Sequence, residues 1–226
     1  MVCEDADRRK GKVMTAVHNR KWLAGLLLGV AVLAGCGAPK VPDTVEQTSL
    51  IIDKEGGITS HMVDAFDKAH YDINELREMA NAEVAAYNTA NQTGADALVT
   101  MEKVESLQGS KVLVTYKYLN SKVYEAYNNS ALFYGTVAEA KAAGYNFDSL
   151  NQVLFNAKGD GSMVSGELSE SKMADRHVVL LEEKTLVYCP AKVAYASESA
   201  VLKEDGSVDT TAMLPEEFPV IIVLDK

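Results

Sequence analysis

The chain has 226 residues, of which 32 are acidic and 22 basic, giving a formal net charge of −10. An acidic balance of that size repels polyanions, so no nucleic-acid partner is expected through a broad basic face. The length suffices for one domain of ordinary size or two very small ones.

Residues 1–13 place Glu4, Asp5 and Asp7 ahead of Arg8, Arg9 and Lys10, an unusual start for an export signal. Met14 opens a tidier one, with Arg20 and Lys21 as its positive region, so translation from Met14 is one expectation. An unbroken apolar run then extends from Trp22 to Leu33 and ends in small residues at Ala34 and Gly35. From Trp22 to Gly35 it covers fourteen residues, whereas crossing the hydrocarbon core takes roughly 20. It has no polar face, which argues against a core helix at a domain surface. An uncleaved N-terminal anchor is the alternative to a signal peptide over residues 1–35. The order of basic residues, short apolar run and small-residue exit is that of a secretory signal.

Its last residues, Leu33-Ala34-Gly35-Cys36, resemble the lipobox of bacterial lipoproteins. Small Ala34 and Gly35 let a peptidase close on the backbone, and Cys36 supplies a thiol. The resemblance implies acylation of Cys36 through its sulfur, removal of residues 1–35, and attachment to the outer, extracytoplasmic face of the cell membrane. Two acyl chains suffice for stable anchoring, at about 0.8 kcal/mol per buried methylene.

The mature part would hold 191 residues, 29 acidic and 16 basic, for a formal charge of −13. Lipid, not electrostatic attraction, must then hold it at the membrane. With Cys36 acylated only Cys189 remains, so no internal disulfide forms. Cys189 lies in an apolar stretch, Thr185-Leu-Val-Tyr-Cys-Pro190, and reads as a small buried hydrophobe. Residues 36–48 contain two prolines and no periodicity; they read as a tether reaching on the order of 40 Å. Residues 49–226 form the expected single domain.

Strands are expected at 49–53 and 58–66, joined by Lys54-Glu-Gly-Gly57, where the glycine pair supplies positive φ. Asp72 and Glu75 suggest a capped helix with Ile73, Leu76, Ala80, Val84 and Tyr87 on one face. Asn74, Arg77, Glu78, Asn81 and Asn88 fall mostly outside. A second hairpin spans 98–105 and 111–119 around Gln108-Gly-Ser110, followed by a short helix at 121–128. Residues 132–134 read as a strand. Thr136 and Glu139 form a capping box for a helix through Ala143, stopped at Gly144. A further helical turn is expected within 145–156 and a loop at 158–162. Strands then dominate, at 163–167, 177–181, 185–189, 192–197 and 218–224, with Glu182-Glu-Lys184 as a tight hairpin. The fold class is α+β: mainly antiparallel sheet with two to four helices and a strand-rich C-terminal half.

No catalytic residue, cofactor or metal site emerges from the pattern. His61, His70 and His177 show no helical zinc spacing. Asp205-Gly-Ser-Val-Asp209 puts oxygens at calcium-loop positions 1, 3 and 5, and Glu216 lands at position 12. Position 6 is Thr210 where a calcium loop needs glycine, so a polar turn between strands is the reading. Tyr116, Tyr118, Tyr124, Tyr127, Tyr134 and Tyr145 crowd one region. They read mostly as core or hairpin partners with hydroxyls at the surface, or else as a shallow glycan- or peptide-binding face. Phe66-Asp-Lys and residues 73–87 make the mature part similar to uncharacterised small surface lipoproteins of anaerobic Gram-positive bacteria, a resemblance that implies no activity. The leading expectation is a non-catalytic, lipid-anchored domain that binds an envelope or extracellular partner: protein, glycan or small molecule. Nutrient or small-ligand capture beside a transporter comes second, and an envelope hydrolase third.

Overall fold

Turn chemistry at Asp53 builds the first hairpin. Strands β1 (Ser49–Ile52) and β2 (Ile58–Ala65) pair antiparallel with Ser49 opposite His61 and Ile52 opposite Ile58. Between them the Asp53 carboxylate accepts hydrogen bonds from the N–H groups of Glu55 and Gly57, at 2.9 and 2.8 Å. Only Gly56 takes positive φ, +89°. Gly57 answers a different constraint, because a Cβ there would lie 2.5 Å from Asp53 Oδ2. The computed structural model describes residues 39–147, 154–157, 170–198, 200–214 and 219–226. Cys36 and the signal, the loop at 158–162, the strand expected at 163–167 and Glu216 lie outside the described residues.

Helix α1 (Ile73–Asn91) begins where Asp72 accepts from the N–H groups of Asn74 and Glu75. Ala80 and Val84 are buried along its apolar stripe, as the spacing predicts. Strands β3 (Val99–Leu107) and β4 (Lys111–Tyr118) follow, turning through Gly109 and Ser110, both at positive φ. Next come α2 (Ser121–Asn128), β5 (Leu132–Thr136) and α3 (Val137–Ala142), the last opened by a reciprocal Thr136–Glu139 capping box. Gly144 closes α3 at φ +98°.

The remaining strands are β6 (Leu154–Asn156), β7 (His177–Leu181), β8 (Leu186–Tyr188), β9 (Val193–Ser197), β10 (Val201–Leu202), β11 (Val208–Asp209) and β12 (Val220–Leu224). A single helical turn at Glu170–Met173 precedes β7. Residues 154–156, at the end of the stretch where a helical turn is expected, form a strand, and residues 148–153 of that stretch lie outside the described residues. The strand pairs with β9, whose other side meets β12.

Two sheets result. The seven-stranded one runs β10-β11-β8-β1-β2-β4-β3 and the five-stranded one β5-β7-β12-β9-β6. Among the described residues all pairings are antiparallel except β1 with β8, so this is an α+β, sheet-dominated fold. The hairpin expected at 182–184 is not one: β7 belongs to the five-stranded sheet and β8 to the seven-stranded sheet, and the segment crosses between them. Both sides of β7 are already taken, by β5 and β12. Buried Thr210 fixes the crossing; its Oγ1 accepts from Thr185 N–H at 2.9 Å and donates to the Glu183 carbonyl at 2.7 Å.

Period-two alternation divides the apolar strands between two cores. Val179 and Leu181 of β7, with Val220, Ile222 and Leu224 of β12, join Leu50, Val114, Val187 and helix residues Ala80 and Val84. Val178, Leu180 and Val223 point the other way, to Val137, Ala140 and Met173. The five-stranded sheet is thus buried on both faces.

Open sheet edges invite unwanted strand pairing, and side chains close three places here. Asn88, placed outside by periodicity, acts as a surrogate strand on β3. Its Oδ1 accepts from Leu98 and Val99 N–H, and its Nδ2 donates to Val99 C=O at 2.7 Å. Arg77 likewise turns inward, to the Val104 carbonyl. Past the end of β1, Thr48 Oγ1 both accepts from Val63 N–H and donates to Val63 C=O.

Residues 39–48, expected as an extended tether, are tied to the domain. Lys40 N–H donates to the Asp205 carbonyl, and Leu186 N–H to that of Thr48. The reason is local shape: Gly206 lacks a Cβ, which would sit 3.3 Å from Pro39 Cα.

Candidate functional site: an apolar groove beside the first helix

Pairing of β2 with β4 sets Met62 opposite Val114 and Asp64 opposite Val112. The start of α1 stands beside this face and contributes Leu76 and Met79, while the link between β2 and α1 contributes Phe66 and Tyr71. Together they enclose an open groove of about 460 Å3. Its walls are unusually bare: Met79 is 64% exposed, Met62 46% and Tyr71 44%. The ring of Tyr71 lies 5.0 Å from that of Phe66 and 4.8 Å, edge-on, from that of His70.

Acids rim the groove. Asp64 accepts from Ala65 N–H at 2.7 Å, and Asp72 caps α1. Glu75 stands one turn into the helix. None of the three is in an ion pair among the described residues, so the rim carries uncompensated negative charge beside an apolar floor. His70 also lines this groove.

A second hollow, about 380 Å3, lies between residues 41–47 and strands β1, β2 and β8. Ser49 Oγ and His61 Nδ1 approach to 3.3 Å there. Burial lowers the His61 pKa, the Lys103 ammonium lowers it further, and Glu102 opposes both. Tyr188 completes the polar lining, its hydroxyl held above the ordinary tyrosine range chiefly by burial.

The histidines are not gathered. His61 and His70 line different hollows, and His177 stacks on Tyr134 at 5.3 Å. Cys189 is packed in the core, where burial pushes its thiol up to about 12. At neutral pH it is a protonated, inert group. No cluster of three His, Cys, Asp or Glu exists among the described residues. In the 205–211 stretch each aspartate serves its own turn: Asp205 Oδ1 accepts from Ser207 N–H and Oγ, Asp209 Oδ1 from Thr211 N–H and Oγ1. Lys203 neutralises Asp209 at 2.9 Å.

Tyr116, Tyr118 and Tyr124 are buried in the core, and Tyr127, Tyr134 and Tyr145 pack against it partly buried. Tyr87 meets Tyr127 at 5.0 Å, Tyr118 meets Tyr124 at 4.9 Å and Tyr127 at 5.6 Å, with Tyr116 beside them. The hydroxyls of Tyr118, Tyr124 and Tyr127, expected at the surface, turn inward. That of Tyr124 donates to the Glu183 carboxylate at 2.7–2.8 Å, and that of Tyr118 to Asn128. Burial raises the pKa of both, and the Glu183 charge adds to the rise at Tyr124. The Tyr127 hydroxyl is buried without a hydrogen-bond partner among the described residues. The signal was in the spacing: Tyr116 and Tyr118 share a strand face, and Tyr124 and Tyr127 share a helix face.

No helix among the described residues is long and apolar enough to cross a membrane. No protein-family model, curated protein or solved structure matches the chain.

Proposed function

We propose that this is a lipid-anchored protein, held through Cys36 on the extracytoplasmic face of the cell membrane, whose folded domain binds a partner and catalyses no reaction. The observation that carries the binding role is the groove beside α1. Apolar side chains left open to water and rimmed by polar groups mark docking sites. Met62 and Met79 are flexible and polarizable, suited to moulding around apolar side chains. Asp64, Asp72 and Glu75 complement positive charge. The occupant with that chemistry is a protein segment presenting apolar side chains next to lysine or arginine.

Two experiments test the two halves. Mass spectrometry of the membrane-extracted protein should find residue 36 as an acylated N-terminus; an unmodified chain beginning upstream contradicts the anchor. Selection from a random peptide library on the purified protein should enrich apolar segments flanked by basic residues, and Glu75→Lys should abolish the enrichment. Enrichment indifferent to Glu75 and Met79 contradicts the binding site.

A second reading is capture of a small ligand in the hollow under residues 41–47, favoured by the convergence of Ser49, His61 and Tyr188 on it. His61→Phe would fill that space and abolish such binding while leaving peptide selection at the groove unchanged.

A further inference from the structure

Resting on the lipid attachment proposed above, a second surface acquires a partner. Residues 36–39 are the whole covalent link between the acylated cysteine and the first tied residue of the domain. Fully extended, those three steps span at most about 11 Å. Pro39 lies against Gly206, and Lys40 is hydrogen-bonded to Asp205, so the chain enters the domain at the turn joining β10 to β11. That turn closes one edge of the seven-stranded sheet. On β10, Val201 is 52% and Leu202 38% exposed, and Val41, beside the Lys40 bond, is 42% exposed. These are exposed apolar side chains within a short reach of the acyl chains.

We infer that the β10–β11 edge of the sheet, through Val201, Leu202 and Val41, rests on the bilayer that holds the lipid of Cys36. Glu204 and Asp205 at the turn keep it at headgroup level, since burying unpaired carboxylates in hydrocarbon is costly. Lys203 is engaged by Asp209, so the contact is apolar in origin and needs no anionic lipid. The consequence concerns the groove. Strand β4, which floors it, stands five places from β10 in the sheet. At about 4.8 Å per strand, the groove lies roughly 24 Å along the sheet from the membrane contact. The sheet is a spacer, and the docked segment replaces the long tether that residues 36–48 suggest.

The acylated protein beginning at Cys36, reconstituted in phosphatidylcholine vesicles containing a nitroxide-labelled lipid, provides the test. A fluorophore is attached to Leu202→Cys, Glu204→Cys or Met79→Cys in separate samples; buried Cys189 does not compete for label. Quenching at positions 202 and 204 should exceed that at 79 several-fold. The Glu204→Cys sample guards against damage from altering Leu202. Equal quenching at all three positions, with acylation verified by mass, overturns the orientation and leaves the anchor standing. An unacylated Cys36 removes the anchor itself, and with it the basis of this inference.

Discussion

The five-stranded sheet and the α1 end of the seven-stranded sheet are built from similar material and finished differently. In β7 and β12 successive residues feed two cores, and Leu181 and Ile222 have no exposed surface. In β2 the inward face is buried at Ile58 and Ser60 and then opens to water at Met62 and Asp64. Polar links to β3, through Asn88 and Arg77, hold α1 at the sheet edge, beside this opening. The difference teaches that the open end is not a packing failure: its backbone edges are closed by specific hydrogen bonds while its apolar side chains are left bare. The five-stranded sheet has core on both faces, whereas the seven-stranded sheet, buried at Leu50, Ile52 and Val187, leaves apolar side chains bare at its α1 end.

Mutations should separate the two. Leu181→Ala removes a fully buried side chain and should cost about 2–5 kcal/mol, read from urea unfolding. Asn88→Ala leaves buried Val99 without its edge partner and should cost about 2 kcal/mol, with increased self-association by light scattering. Tyr124→Phe deletes a hydroxyl bonded to a carboxylate and should cost about 1.5–3 kcal/mol, measured the same way. Equal losses from Met79→Ala would erase the contrast; that change should stay within about 0.5 kcal/mol.

A smaller effect is set by His61. Its folded pKa is lowered from the ordinary 6.5, so the fold favours the neutral ring. The stability it contributes is fully present above 6.5 and is lost as pH falls through the folded pKa. His61→Gln should flatten that part of the stability profile between neutral and mildly acid pH, measured by thermal unfolding across pH. An unchanged slope would place the dependence elsewhere.

Local chemistry was legible in the residues. The Asp72 cap, the Thr136–Glu139 box and the Gly144 stop all follow from which side chains can satisfy free backbone groups at helix ends. Strands β4 and β12 fall within the apolar stretches 111–119 and 218–224 where strands are expected. Pairing was harder, because an apolar run does not name its neighbour. Glu182-Glu-Lys184 looks like a hairpin turn until Thr210, twenty-five residues beyond Thr185, claims the crossing. Asn88 and Arg77 look solvated on a helical wheel, but their targets on β3 are distant in sequence. The groove was half visible: Met62 and Phe66 share a strand face and Met79 interrupts the polar side of α1, yet nothing local says they meet.

Photo-crosslinking in the native membrane tests the binding role most directly. A crosslinking amino acid at Met79 samples the groove, and one at Lys117, a salt-bridged residue on the opposite face of β4, serves as its counterpart. Discrete adducts to a protein segment from position 79, absent from position 117 and reduced by Glu75→Lys, are the predicted result. Identical adduct patterns from both positions would contradict the assignment of the groove as the recognition surface.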